Sequence, residues 1–304
     1  MQRHIGTIGV GLVWLLTGLP VLAQERSAKE EKAIGAIEEL GGKVRVDEKS
    51  PGKPVVSVNL YNLMKVKDAD LMHVKEFGKL QILGLGYTQV TDAGLVHLKG
   101  LSNLESVTLR GTKVTGEGLT HLKELPKLRS LYFEYASVSD AGLEHLGGMR
   151  MLQLLELRYT QVTDAGLVHL KGLGNLQQLH LGGTKVTDKG LEHLKGLKGL
   201  EMLDLQHTKV TDAGLAHLKG LNKLQTLWLL HTPVTDAGVM HLKELANLQT
   251  LYLDGTGLTD VGLVQLKGLK QLKSLSITGT KVTSGGVAEL QTALPQLKID
   301  HNIK

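Results

Sequence analysis

"YTQVTDAGLVHLKGL" runs from Tyr87 to Leu101 and recurs letter for letter from Tyr159 to Leu173. Its central letters return far more often than twice. VTDAG begins at Val90, VTGEG at Val114, VSDAG at Val138, VTDAG at Val162 and VTDKG at Val186. VTDAG follows at Val210 and Val234, LTDVG at Leu258 and VTSGG at Val282, and VKDAD at Val66 is a degenerate first member. The start positions step by 24 residues without an insertion, and a period between about 20 and 50 residues is the mark of a solenoid.

Each unit divides in two. In "LQTLWLLHT" (Leu224 to Thr232), Leu224, Leu227 and Leu229 form L-x-x-L-x-L, and the last two are spaced as on one face of a strand. In "VTDAGLAHLKGL", Leu215, Leu218 and Leu221 fall three apart, as a helical face requires. Thr211 and Asp212 stand where an N-cap and a first-turn carboxylate belong, and Lys219 and Gly220 where a helix stops. Strand and helix therefore alternate once per unit, and such units become stable only by stacking on one another.

This pattern resembles the leucine-rich repeat, and in particular bacterial secreted members carrying T-D-A-G-L. The resemblance covers Val66 to the C-terminal end. It implies an α/β solenoid, curved, with a parallel sheet on the concave face and helices on the convex face. It implies a shape rather than a partner. Where the family carries Asn after the strand this chain has Thr, at Thr88, Thr112, Thr160, Thr184, Thr208, Thr232, Thr256 and Thr280, with Ala136 the exception. A ladder of hydroxyls is expected to replace the Asn ladder. The glycine three residues after the capping Thr, as in Gly166, is expected to let neighbouring helices approach.

Residues 24–65 read as an N-terminal cap. Ala33, Ile34, Ile37 and Leu40 share a helical face, and "KVRV" and "KPVVSVNL" read as two strands that cover the first sheet edge. The array occupies 66–304 in about ten units, and its end, "ALPQLKIDHNIK", departs from register by one residue. Residues 1–23 combine a short basic start, an apolar stretch and Val21-Leu22-Ala23, the pattern of a cleaved export signal. Retention as an anchor is the alternative. With the signal removed no membrane span is expected, and the chain is placed in the periplasm, at the cell surface or outside the cell.

The 304 residues contain no cysteine, which excludes disulfides, a thiolate nucleophile and Cys-containing zinc sites. The net charge is +5 and aromatics make up 3%. Eight histidines, from His73 to His241, recur every 24 residues, but a single file on packed helices is spaced too widely to chelate a metal. A half-buried column on the helical side is expected. Lysines such as Lys99 and Lys219 near the helix C-termini, with Asp92 and its equivalents at the N-termini, match the helix dipole. No Gly-rich phosphate loop, nucleophile elbow or His-Glu-x-x-His occurs, so no enzyme activity and no cofactor is expected.

The strand positions that flank the inward leucines vary while the rest of the unit does not. They carry Tyr87, Arg110, Tyr132, Glu134, Tyr135, Glu156, Arg158, Tyr159, His180, Asp204, His207, Trp228, His231, Tyr252 and Asp254. Tyr and Trp beside Arg and carboxylates are typical of binding hot spots. The expected function is a non-catalytic scaffold that recognises a protein or peptide. A polysaccharide held by the same aromatics is the alternative, and nucleic acid is not expected. Asp204, His207 and His231 lie on adjacent strands, which leaves a metal site there as a minor alternative.

Overall fold

The computed structural model describes residues 26–302, so the export segment expected at 1–23 lies outside the described residues. An α-helix, Ala28–Glu39, is N-capped by Ser27, whose hydroxyl accepts from the backbone N–H of Glu30. It buries Ala33, Ile34 and Ile37. Strand β1 (Lys43–Val46) then pairs antiparallel with β2 (Val55–Asn59).

From there every strand is parallel to the one before it. They are β3 (Ile82–Gly84), β4 (Ser106–Thr108), β5 (Ser130–Tyr132), β6 (Leu154–Glu156), β7 (Gln178–His180) and β8 (Met202–Asp204). The series ends with β9 (Thr226–Trp228), β10 (Thr250–Tyr252), β11 (Ser274–Ser276) and β12 (Lys298–Asp300). One sheet holds all twelve strands in sequence order. Strand β2 serves two neighbours: it pairs with β1 and is also the first parallel strand, with Val58 opposite Leu83, one residue more than the later step.

The expected slip at the C-terminal end is confined to the helical side. Leu294 and Leu297 stand 25 residues after Leu269 and Leu272, yet β12 keeps the 24-residue step, with Leu275 opposite Ile299. The other convex segments are shorter than the sequence pattern suggests. In one unit, Asp212–Leu215 is α-helical and Ala216–Leu218 continues as a 3-10 turn. The 3-10 form rises about 2.0 Å per residue against about 1.5 Å, so it spans a unit with fewer residues.

The core is aliphatic and dry. Val210, Leu215, Leu218, Leu221, Leu224, Leu227 and Leu229 are each at most 1% exposed, and equivalent side chains repeat this along the array. At roughly 1.5–3 kcal/mol per buried aliphatic side chain, this stack is the main source of stability.

The T-D-A-G letters have a different explanation from the one expected. Thr211 caps its own helix by accepting from the Ala213 N–H. The Asp that follows it reaches into the next unit. Asp188 Oδ1 accepts from the Thr211 N–H at 2.7 Å, and its Oδ2 from the Thr211 hydroxyl at 2.7 Å. The same bridge joins Asp68 to Thr91, Asp140 to Thr163, Asp164 to Thr187, Asp212 to Thr235, Asp236 to Thr259 and Asp260 to Thr283, and at Thr115 both donors reach Asp92 Oδ2. The glycine makes room for that carboxylate: a Cβ on Gly166 would lie 2.5 Å from Asp140 Oδ1.

One rung is missing. Gly116 stands where an Asp belongs, and the next capping residue is Ser139. Here two backbones meet directly, since a Cβ on Gly142 would lie 2.7 Å from Gly116 Cα. Asp92, on the preceding unit, then serves the N–H groups of Thr115, Gly116 and Gly118. Burial works to raise its pKa, but these donors and the Thr115 hydroxyl outweigh it and hold the carboxyl below its usual range.

The threonine after each strand does not form a ladder between units. Thr88 donates its hydroxyl to the Leu85 carbonyl three residues back at 2.6 Å, and Thr208 does the same to Leu205 at 2.6 Å. Each hydroxyl thus closes its own turn, and the bridging between units belongs to Asp.

Candidate functional site

The sheet face is built from three rows of side chains, fixed by the parallel register. One row passes through Tyr132, Glu156, His180, Asp204, Trp228 and Tyr252, each opposite the next across the strands. Two residues further along each chain lie Arg110, Glu134, Arg158 and Asp254. Beyond them is the rim, where the chain turns away from the sheet.

The rim has one backbone conformation in every unit. Asn62, Tyr87, Gly111, Tyr135, Tyr159, Gly183, His207, His231, Gly255 and Gly279 all have φ between 53° and 71°. Residues there donate their N–H to the next unit, as Tyr135 does to Arg158 O at 3.0 Å, which fixes the turn. Glycine suits this left-handed region, and a side chain costs about 1–2 kcal/mol there. Five aromatic rings occupy it nonetheless.

Those rings lean along the array. Tyr135 and Tyr159 stack at 4.7 Å with an interplanar angle of 5°, and His207 and His231 at 4.7 Å and 20°. Each run ends over a glycine: Tyr87 lies over Gly111, Tyr159 over Gly183 and His231 over Gly255, where a Cβ would strike the ring. The gap at Gly111 admits the Arg110 guanidinium, 5.6 Å from the Tyr87 centroid and 5.7 Å from that of Tyr135. Tyr159 is 36% exposed, and burial, with Tyr135 second, pushes its hydroxyl pKa up.

Inside the rim the charged side chains are less exposed than a strand surface suggests. Glu134 (8%), Glu156 (4%), His180 (8%) and Asp204 (0%) are buried although they stand on the sheet face. Arg158 covers them. Its Nη2 lies 2.7 Å from Glu156 Oε2 and 3.7 Å from Glu134 Oε2, and its Nε is 3.8 Å from Asp204 Oδ2. The hydrogen bond to Glu156 raises the Arg158 pKa further, while burial opposes this. Arg110 lies 3.1 Å from Glu134, an ion pair whose Nε–H is not aligned for a hydrogen bond.

Trp228 is half-buried and meets two rings edge to face, Tyr252 on the adjacent strand at 5.6 Å and, across Asp204, His180 at 6.2 Å. Tyr132 and Tyr252 are half-exposed on their strands. The metal alternative fails on geometry. Asp204 is buried beneath the sheet surface while His207 and His231 stack on the exposed rim. Among the described residues no group of three or more His, Cys, Asp or Glu is placed to hold a metal. Seven histidines of the helical-side column are half-buried as expected, and His241 is exposed.

Tyr61 belongs to this face and was missed by the sequence pattern. Its ring meets Tyr87 edge to face at 5.4 Å. The 25-residue first step hides it, although counting back 25 rather than 24 from Gly86 finds it. The described residues contain no helix long and apolar enough to cross a membrane.

Residues 175–195 match the family described as Leucine Rich repeat. No curated protein matches this chain. Among solved structures, an internalin C2 of Listeria monocytogenes is 25% identical with a TM-score of 0.55, covering 85% of this chain and 93% of its own. A second internalin of the same organism is 18% identical with a TM-score of 0.54, covering 93% and 99%. A leucine-rich repeat protein of Leptospira interrogans is 19% identical with a TM-score of 0.58, covering 75% and 62%. With the register of the twelve strands, these likenesses establish the chain as a leucine-rich repeat solenoid.

Proposed function

We propose that this chain is a non-catalytic scaffold of the cell envelope or exterior. It binds a protein or peptide through the sheet face and its rim. The organisation that goes with this reading is an export signal over 1–23, a cap over 24–65 and the repeat array over 66–304. The observation that carries it is the rim. Rings stand at five left-handed positions that glycine fills in the same column, where the strain of roughly 1–2 kcal/mol offsets what their stacking of about 0.5–1.5 kcal/mol contributes to the fold.

A polysaccharide is supported less well. Sugars stack on free aromatic faces, whereas Tyr135 and Tyr159 turn theirs to each other and to Gly183. The similarity to internalins supports a binding scaffold and names no partner for this chain.

The test is capture from cell-envelope and culture-fluid extracts, with residues 24–304 as bait beside a variant carrying Tyr132→Ala, Tyr159→Ala, Trp228→Ala and Tyr252→Ala. A protein held by the first and lost by the equally folded second supports the reading. Equal capture by both moves the binding surface elsewhere.

A further inference from the structure

Three side chains on the sheet face, between β7 and the turn after β10, each bury a polar atom that has no partner among the described residues. They are His180 Nδ1, Trp228 Nε1 and Asp254 Oδ2. Native proteins leave few such atoms, and three in one patch call for a reason. His180 is largely buried, its side chain 11% exposed, and its Nδ1 lies 3.7 Å from Asp204 Oδ2 and 3.9 Å from Glu156 Oε2, too far for hydrogen bonds. Asp254 commits its other oxygen, Oδ1, to the Ser276 hydroxyl and the Thr278 N–H. Trp228 stands between His180 and Tyr252.

Charge here runs against that of the chain. The whole sequence carries +5, yet the sheet-face positions from β6 to just past β10 hold Glu156, Asp204 and Asp254 against Arg158 alone. The unpartnered set is also mixed in kind. Asp254 Oδ2 is an acceptor and the indole N–H a donor, while the carboxylates that face His180 Nδ1 add further acceptors. A free cation would leave the indole unmatched, and a neutral sugar would leave the excess negative charge unused.

We propose that this patch recognises a basic peptide segment. One lysine or arginine side chain lies over Tyr252 and donates to Asp254, and a second, beyond Trp228, donates to the acceptors around His180. The indole N–H donates to a carbonyl of the same peptide. This rests on the reading of the sheet face as a protein-binding surface, and it adds the chemistry of the partner.

The experiment uses the full chain carrying Trp14→Phe, so that Trp228 alone reports by fluorescence. The probes are a peptide of roughly ten alternating Arg and Ser residues, its Glu–Ser counterpart, and chitohexaose. The Arg peptide is expected to shift Trp228 emission saturably, to weaken with added salt, and to bind at least tenfold more weakly to the Asp254→Asn variant. Asparagine keeps Oδ1, and equal melting temperatures establish that the variant is folded. Equal response to both peptides, response to the sugar in place of the peptide, no response to any probe, or unchanged binding by Asp254→Asn overturns the proposal. If it falls while capture still depends on Tyr132, Tyr159, Trp228 and Tyr252, the broader reading stands. If capture is also independent of those residues, both fall.

Discussion

Two columns of this solenoid lie only a few residues apart in each unit and follow opposite rules. At Thr91-Asp92 and its equivalents the letters barely change. At the rim, from Tyr87 to Gly279, they change from unit to unit. The first column is monotonous because three chemistries must fit at once: a hydroxyl that caps, a carboxylate that reaches the next cap, and a glycine that leaves room for it. The second column demands only a left-handed backbone. Glycine satisfies that demand best, so every ring placed there needs a reason outside the fold.

The comparison breaks most sharply at Gly166. Gly166→Leu drives a side chain into Asp140 and Leu143 and removes a rung as well. Overpacking of this kind costs about 1–3 kcal/mol, and the lost bridge adds to it. Urea titration is the check, and an unchanged midpoint would contradict the account of the column.

A smaller loss is expected at a single rung. Asp188→Ala leaves the Thr211 N–H and hydroxyl without their acceptor, a loss of about 1–3 kcal/mol. Asp92, which serves the unit without its own carboxylate, also has a pH signature. The folded pKa of Asp92 is depressed, so its contribution is fully present above the unfolded value near 3.8 and fades as pH falls from there through the folded value. Asp92→Asn is therefore expected to flatten the acid limb of a stability–pH curve while leaving its slope near neutrality unchanged. An acid limb of the original steepness would count against the bridge.

The smallest effect on stability belongs to the rim. Tyr159→Gly relieves roughly 1–2 kcal/mol of left-handed strain and loses a stack worth about 0.5–1.5 kcal/mol. Unfolding midpoints should hardly move, while partner capture is lost. A large destabilisation would make the ring a structural part and weaken the case for binding.

Much of this was legible in the letters. The period, the inward leucines and the strand positions follow from spacing, and all of them appear in the sheet. Tyr87, Tyr135, Tyr159, His207 and His231 could be placed at the edge of the varying face, but not in a left-handed backbone. That conformation is set by hydrogen bonds to the following unit. The charged residues could be placed on the right face, but their burial could not be read from the letters. Arg158 holds Glu156 of its own unit and also reaches Glu134 and Asp204 from two others, contacts that no single unit contains.

The sequence by itself determined the repeat, its length, the aliphatic core and the fold, because these depend on which residues recur at fixed intervals. Tertiary structure alone decided which unit each Asp serves, why Gly116 and Gly142 meet, and which polar atoms of His180, Trp228 and Asp254 remain unpartnered. Each of these is an interaction across the boundary between units, where side-chain reach and the offset between adjacent strands, rather than residue type, select the partner.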